Sequence, residues 1–134
     1  MIGLAQHWNR IGVVIAATLF LTACGTPTAL NIAEAYVSAS NADEAVTLFA
    51  DNAIKVDVNG VEFSGKDQIR RQLTGAFNQI SYGELVEAPH LDGDHVTWVR
   101  VNFDRLAGRA SHIRQSIWVA DGKIVRFTGN FAGE

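Results

Sequence analysis

From Ala29 onward the apolar positions change period twice, and each change marks a new kind of element. Ile32, Ala33, Tyr36, Val37 and Ala39 recur at helical spacing, which predicts an amphipathic helix over Ala29 to Ala39. Asn41 with Glu44 three residues on has the form of a capping box. The apolar Ala45, Val46, Leu48 and Phe49 behind it predict a second helix ending near Ala50-Asp51-Asn52. The spacing then falls to two: Ile54, Val56 and Val58 alternate with Lys55 and Asp57, and Asn59-Gly60 joins this strand to Val61 and Phe63 as a hairpin. Ser64, followed by Asp67, is placed to cap a third helix in which Ile69, Leu73 and Phe77 repeat every four residues. Lys66, Arg70 and Arg71 then face solvent.

Beyond Asn78 the pattern predicts strands over about Gln79 to Ala88, His95 to Leu106, Arg109 to Ala120 and Lys123 to Phe131. Turns fall at Leu91 to Asp94, Ala107-Gly108 and Asp121-Gly122. Helices first and a meander after them predict an α+β domain with its helices packed on one face of an antiparallel sheet. Alternation assigns Thr97, Val99, Val101, Phe103, Ile113, Gln115, Ile117, Val119, Val125 and Phe127 to the covered face. Gln115 is the polar amide in that set, and burial obliges it to find a partner, a water or a ligand. Val96, Trp98, Arg100, Asn102, Asp104, His112, Arg114, Ser116 and Trp118 fall on the opposite face. Tryptophans among charges suit a protein interface, so a homodimer through Trp98 and Trp118 is an expectation, with a solvated face as the alternative.

Ile11 to Ala23 is an uncharged run behind Arg10, shorter than the roughly 20 apolar residues that span a bilayer. Its form is that of a secretory signal peptide over residues 1–23. Leu21-Thr22-Ala23-Cys24 resembles the lipobox of bacterial lipoproteins. The resemblance implies a lipid on Cys24, the only cysteine, a tether over 24–28, a domain over 29–134 and an exported protein anchored in the cell envelope. Several acyl chains on one residue hold a membrane far more firmly than a single one.

A chain of 134 residues with 48% apolar and 19% charged positions is globular and fits one domain. All fourteen acidic residues lie beyond Cys24 while Arg10 lies before it, so the domain is acidic and nucleic acid is not expected as a partner. His90-Leu91-Asp92-Gly93-Asp94-His95 places four metal-ligating side chains in six residues. Asp-Gly is an ordinary tight turn, however, and no cysteine adds to the set, so neither a metal nor another cofactor is expected.

The order helix, helix, hairpin, helix, long meander resembles the SnoaL-like and nuclear-transport-factor-2-like (NTF2-like) superfamily. Its fold is a cone with a pocket between helices and curved sheet. The run Tyr36 to Ala42, with Leu48 to Asp57, is similar to the opening of bacterial ketosteroid isomerases. On that resemblance Tyr36 falls on the oxyanion-hole tyrosine and, with a shorter second helix, Asp57 on the general base. Gln115 falls near a protonated aspartate, which an amide can replace as a hydrogen-bond donor. Alternation opposes this for Asp57, because the valines beside it claim the covered face. Arg100-Val101-Asn102 is similar to the arginine and acid of limonene epoxide hydrolases, but Asn102 cannot act as a base. The resemblance implies a small, largely apolar ligand lying against Val101, Phe103, Ile117 and Phe127, with or without proton-transfer chemistry. A noncatalytic interaction module of the envelope is the other class.

Overall fold

The computed structural model describes residues 26–133. The expected signal peptide, the lipobox-like run and Cys24 lie outside the described residues. In chain order the elements are α1 (Ala29–Ser38), α2 (Ala42–Val46), β1 (Phe49–Val56), β2 (Glu62–Ser64), α3 (Lys66–Gln79), β3 (Ile80–Asp92), β4 (His95–Asp104), β5 (Arg109–Ala120) and β6 (Lys123–Phe131).

The helices begin where local chemistry satisfies their first N–H groups. Thr28 accepts from the Asn31 N–H at 3.1 Å ahead of α1, and Asn41 accepts from the Glu44 N–H at 2.9 Å ahead of α2. The Glu44 carboxylate reaches back to the Ser40 N–H at 2.9 Å, one residue earlier than in an ideal capping box. Ser64 does not cap α3. It ends β2, donates its N–H to the Gln68 side chain, and Gly65 holds the cap position at φ 86°. That left-handed backbone favours glycine over any residue with a Cβ.

One six-stranded sheet runs β2-β1-β6-β5-β4-β3, antiparallel throughout except for the β1–β6 pair. That parallel pair explains why the second helix is shorter than its pattern suggests. Leu48 accepts the Ile124 N–H at 2.8 Å and Phe49 takes a place beside Ile124, so Phe49 is the first residue of a strand and not the last turn of a helix. The hairpin after β1 closes as expected, with Gly60 at φ 80° and its N–H on the Asp57 carbonyl at 3.0 Å. The next strand is longer than expected, with β3 paired to β4 as far as Asp92 opposite His95.

Ile32, Ala33 and Tyr36 of α1, Ala42, Ala45 and Val46 of α2, and Ile69 and Leu73 of α3 are buried. They form the core with Phe49, Ala53, Val96, Trp98, Ile117, Ile124 and Phe127 from the sheet. Among the described residues no helix is long and apolar enough to cross a membrane.

The largest departure from the sequence reading is the face of β4. Trp98 lies opposite Gln115, Arg100 opposite Ile113 and Asn102 opposite Ser111, so the core-facing set of β4 is Val96, Trp98, Arg100, Asn102 and Asp104. Trp98 is fully buried and cannot serve an outer-face dimer. Val101 and Phe103 turn away from the helices, and Phe103 is exposed. The reason is the length of the turn after β4. Asp104 accepts the Leu106 and Ala107 N–H groups and the Gly108 N–H closes on its carbonyl, so Asp104 and Arg109 become the last pair. Even-numbered residues of β4 therefore sit beside odd-numbered residues of β5.

In β6 a bulge sets two residues, Val125 and Arg126, against Trp118, which turns Ile124 into the core in place of Val125. Trp118 stays on the outer face, stacked on His95 with ring centroids 4.7 Å apart. His95 also sits 3.1 Å from Asp94 and 3.7 Å from Asp92.

Candidate functional site

A cavity of about 460 Å³ lies between α3 and the inner face of the sheet, within the size range of ligand pockets. Tyr36 of α1 enters it from one side. Gln72, Gly75, Ala76 and Gln79 line it from α3, Lys55 from β1, and Asp57, Val58 and Asn59 from the hairpin turn. Tyr82, Asn102, Asp104, Ser111, Ile113, Gln115, Phe127 and Gly129 form its sheet side.

Strand β1 decides what enters beside Asp57. A register shift lies between Phe49 and Ile54, after which Lys55 pairs with Phe127 and shares its face. The inward set of β1 is therefore Phe49, Ala53 and Lys55, with Ile54 and Val56 on the other face. Alternation correctly grouped Lys55 with Asp57, but hydrophobicity pointed to the wrong group as the covered one. Asp57 anchors the turn as well. Its Oδ1 accepts the Asn59 and Val61 N–H groups at 2.9 Å each.

Gln115 has its partner in the indole of Trp98, whose Nε1–H donates to Oε1 at 2.8 Å. That bond sets the direction of the amide and leaves its NH₂ as the end available to a bound molecule. Tyr36 is buried, with ring centroids 5.0 Å from Phe127, 6.0 Å from Trp98 and 6.1 Å from Phe49. Burial, reinforced by Tyr82 and opposed by Arg100, pushes its phenol well above the ordinary tyrosine range, so it remains a proton donor at physiological pH. Burial raises the Tyr82 phenol too, again against Arg100. The Arg100 guanidinium lies over the Tyr82 ring at 4.8 Å.

The three residues singled out on the resemblance, Tyr36, Asp57 and Gln115, thus line one cavity. Of the apolar ligand contacts expected, Phe127 lines it. Ile117 is packed in the core beside it, and Val101 and Phe103 are on the far face of β4. Lys55 and Tyr82 are site residues that the sequence pattern does not single out, and Arg100, named there for its similarity to the epoxide hydrolase arginine, was assigned to the outer face. The four-residue turn between Asp104 and Arg109 was the available signal for Arg100, because it sets the parity of the β4–β5 pairing. Three buried polar atoms have no hydrogen-bond partner among the described residues: Arg100 Nε, Asn102 Oδ1 and Gln72 Oε1. Two of their residues line the cavity and Arg100 adjoins it through Tyr82. Orphaned polar atoms concentrated at one place mark where a further molecule would complete the bonding.

No family model and no curated protein matches the chain. Solved structures do. A protein from Sinorhizobium meliloti described as a candidate polyketide cyclase shares 25% identity at a TM-score of 0.64, covering 80% of this chain and 97% of that one. A hypothetical protein from Catenulispora acidiphila with a ketosteroid isomerase-like fold, in complex with trimethylamine, shares 21% at 0.61, over 80% and 87%. An NTF2-like protein of unknown function from Cytophaga hutchinsonii shares 13% at 0.65, over 78% and 90%. The chain has the NTF2-like fold, α+β with helices packed on a curved sheet.

Proposed function

We propose that the protein is a membrane-tethered small-molecule-binding domain whose cavity carries out proton transfer beside a carbonyl group. The observation that carries this reading is the meeting of Tyr36, Asp57 and Gln115, from three distant segments, in one cavity of about 460 Å³. Phe63, Ile113 and Phe127 supply an apolar bed for the body of a ligand. Its carbonyl oxygen lies against the Tyr36 hydroxyl and the Gln115 NH₂. Asp57 takes a proton from the adjacent carbon, the electron pair moves onto the oxygen, and the two donors hold the enolate that results. Returning that proton to another carbon completes an isomerisation. A burial-raised phenol suits the task, because it donates a hydrogen bond without losing its proton. The cavity and the burial of Trp98 favour this reading over a noncatalytic module with a filled cone and a tryptophan patch outside.

Thermal shifts of the full-length protein against cyclic enones and phenols test it. A bound compound at about 100 times its dissociation constant should stabilise the fold by roughly 2.7 kcal/mol. Tyr36→Phe is expected to weaken that binding about tenfold, the loss of one hydrogen bond of about 1.4 kcal/mol. Asp57→Asn should keep binding while abolishing exchange of the substrate's acidic hydrogen for deuterium. Binding that ignores Tyr36, or exchange that survives Asp57→Asn, would rule out these roles.

The tether is a separate part of the proposal, supported by the lipobox alone. Cys24→Ser is expected to move the protein from the membrane fraction to the soluble one. Retention on membranes by the variant would remove the lipid anchor from the account.

A further inference from the structure

The cavity holds more positive charge than its own carboxylates neutralise. Lys55, Arg71 and Arg109 line it with Asp57 and Asp104, and Arg100 stands beside it. None of these four cations forms an ion pair among the described residues, where Arg70, Arg114 and His95 are the paired ones. Asp57 and Asp104 act on Lys55 and Arg109 through their field only, because Asp57 Oδ1 is committed to the hairpin turn and Asp104 to the turn after β4 and the Gln79 amide. This excess sits inside a chain whose net charge is −3, so it is local.

Two of the cations are also cut off from water. Lys55 is 5% exposed and Arg100 is 7% exposed. The Lys55 ammonium lies 4.6 Å from the centre of the Phe127 ring, and Arg100 rests on Tyr82. Such cation–π contacts offset part of the desolvation of a buried charge but do not replace an anion. Side chains kept in so unfavourable a state are expected where a binding partner supplies the missing interaction.

We infer that the cavity's ligand is an organic acid whose carboxylate is received by the Lys55 ammonium, with Arg100 adding to the positive field behind Tyr36 and Tyr82. The inference rests on the reading of this cavity as a ligand site. Lys55 is the buried cation that lines the cavity, with Arg100 behind Tyr82, and one buried ammonium matches a single carboxylate better than a phosphate dianion. Gln72 Oε1 and Asn102 Oδ1, buried without donors, ask in addition for a hydroxyl on the same molecule. The ligand class is therefore a hydroxylated organic acid with an apolar body.

Calorimetry on the full-length protein at pH 7 with matched pairs tests this: 4-hydroxyphenylacetate against 4-hydroxyphenylacetamide, and 3-hydroxyoctanoate against its amide. At least one acid is expected to bind tenfold or more tightly than its amide. The preference should disappear in Lys55→Met, persist in Arg114→Gln on the outer face, and fall as pH rises past about 8, where Lys55 loses its proton. Amides binding as well as acids would overturn the inference and leave the ligand site standing. Failure of every compound would count against the site itself. A probe free of shape demands is the ¹⁵N resonance of the Lys55 side chain. Sodium acetate should raise the pH at which it titrates, acetamide should not, and an identical midpoint in both would end the proposal.

Discussion

Trp98→Ala is expected to lower the stability of the fold by about 3–5 kcal/mol, the range for truncating a fully buried aromatic side chain. Trp98 is 0% exposed and packs its indole near Tyr36 and Phe127, with centroids 6.0 and 6.3 Å away. It is also the donor that satisfies the Gln115 carbonyl. Trp98→Phe separates these two contributions. Phenylalanine keeps most of the apolar volume but removes the N–H, leaving a buried carbonyl without a partner at a cost of about 1–3 kcal/mol. The freed amide would also lose its fixed direction, so ligands that use the Gln115 NH₂ should bind more weakly. Urea unfolding of the two variants beside the wild type measures both effects. A change within about 0.5 kcal/mol for Trp98→Ala is what a surface residue would show, and would mean that β4 is paired to β5 one residue out of the register described.

The second large effect concerns Lys55. Burial lowers its pKa to about 8 from an ordinary 10.5, with Asp57 opposing the shift. Below pH 8 the ammonium is charged in both folded and unfolded chains, and the folded state bears the full cost of burying it. Between pH 8 and 10.5 the unfolded chain holds a proton that the folded one has released, so stability rises with pH. Above 10.5 both forms are neutral and the cost is gone. The difference corresponds to about 3 kcal/mol. Lys55→Met, apolar and similar in length, is therefore expected to be more stable than the wild type at pH 7 by about 2–3 kcal/mol, after allowance for the lost contact with Phe127. The gap should narrow steadily from pH 8 to 10.5. Denaturant melts at pH 7, 9 and 10.5 measure it. A Met variant that is less stable at pH 7, with a gap independent of pH, would show that Lys55 is held by compensating interactions and serves the fold.

Taken together, the two substitutions describe one side chain retained for packing and one retained against packing. Trp98 supports the cavity wall and directs Gln115. Lys55 weakens the empty protein and places a cation where a carboxylate can reach it. Stability and function thus act in opposite directions on the same inner face of the sheet.

The sequence by itself determined the order of elements, the cap at Asn41, the turn at Gly60 and the α+β class. Those features depend on local chemistry: a side-chain oxygen three residues before an orphan N–H, a left-handed glycine, a period of 3.6 or of two. Even the grouping of Lys55 with Asp57 was legible, because neighbours at a spacing of two share a face whatever surrounds them.

Tertiary structure alone decided which face of β1 and of β4 is inside, whereas alternation placed Ile113, Gln115 and Ile117 of β5 correctly. In β4 both alternating sets contain large apolar residues, Val96 and Trp98 in one and Val99, Val101 and Phe103 in the other, so hydrophobicity has no casting vote. The pairing to β5, set by the turn that Asp104 closes, carries Trp98 and Arg100 inward. In β1 Ile54 and Val56 lost to a lysine because parallel pairing with β6 places Lys55 beside Phe127. Periodicity divides a strand into two faces, but only its neighbour's register says which of them meets the core.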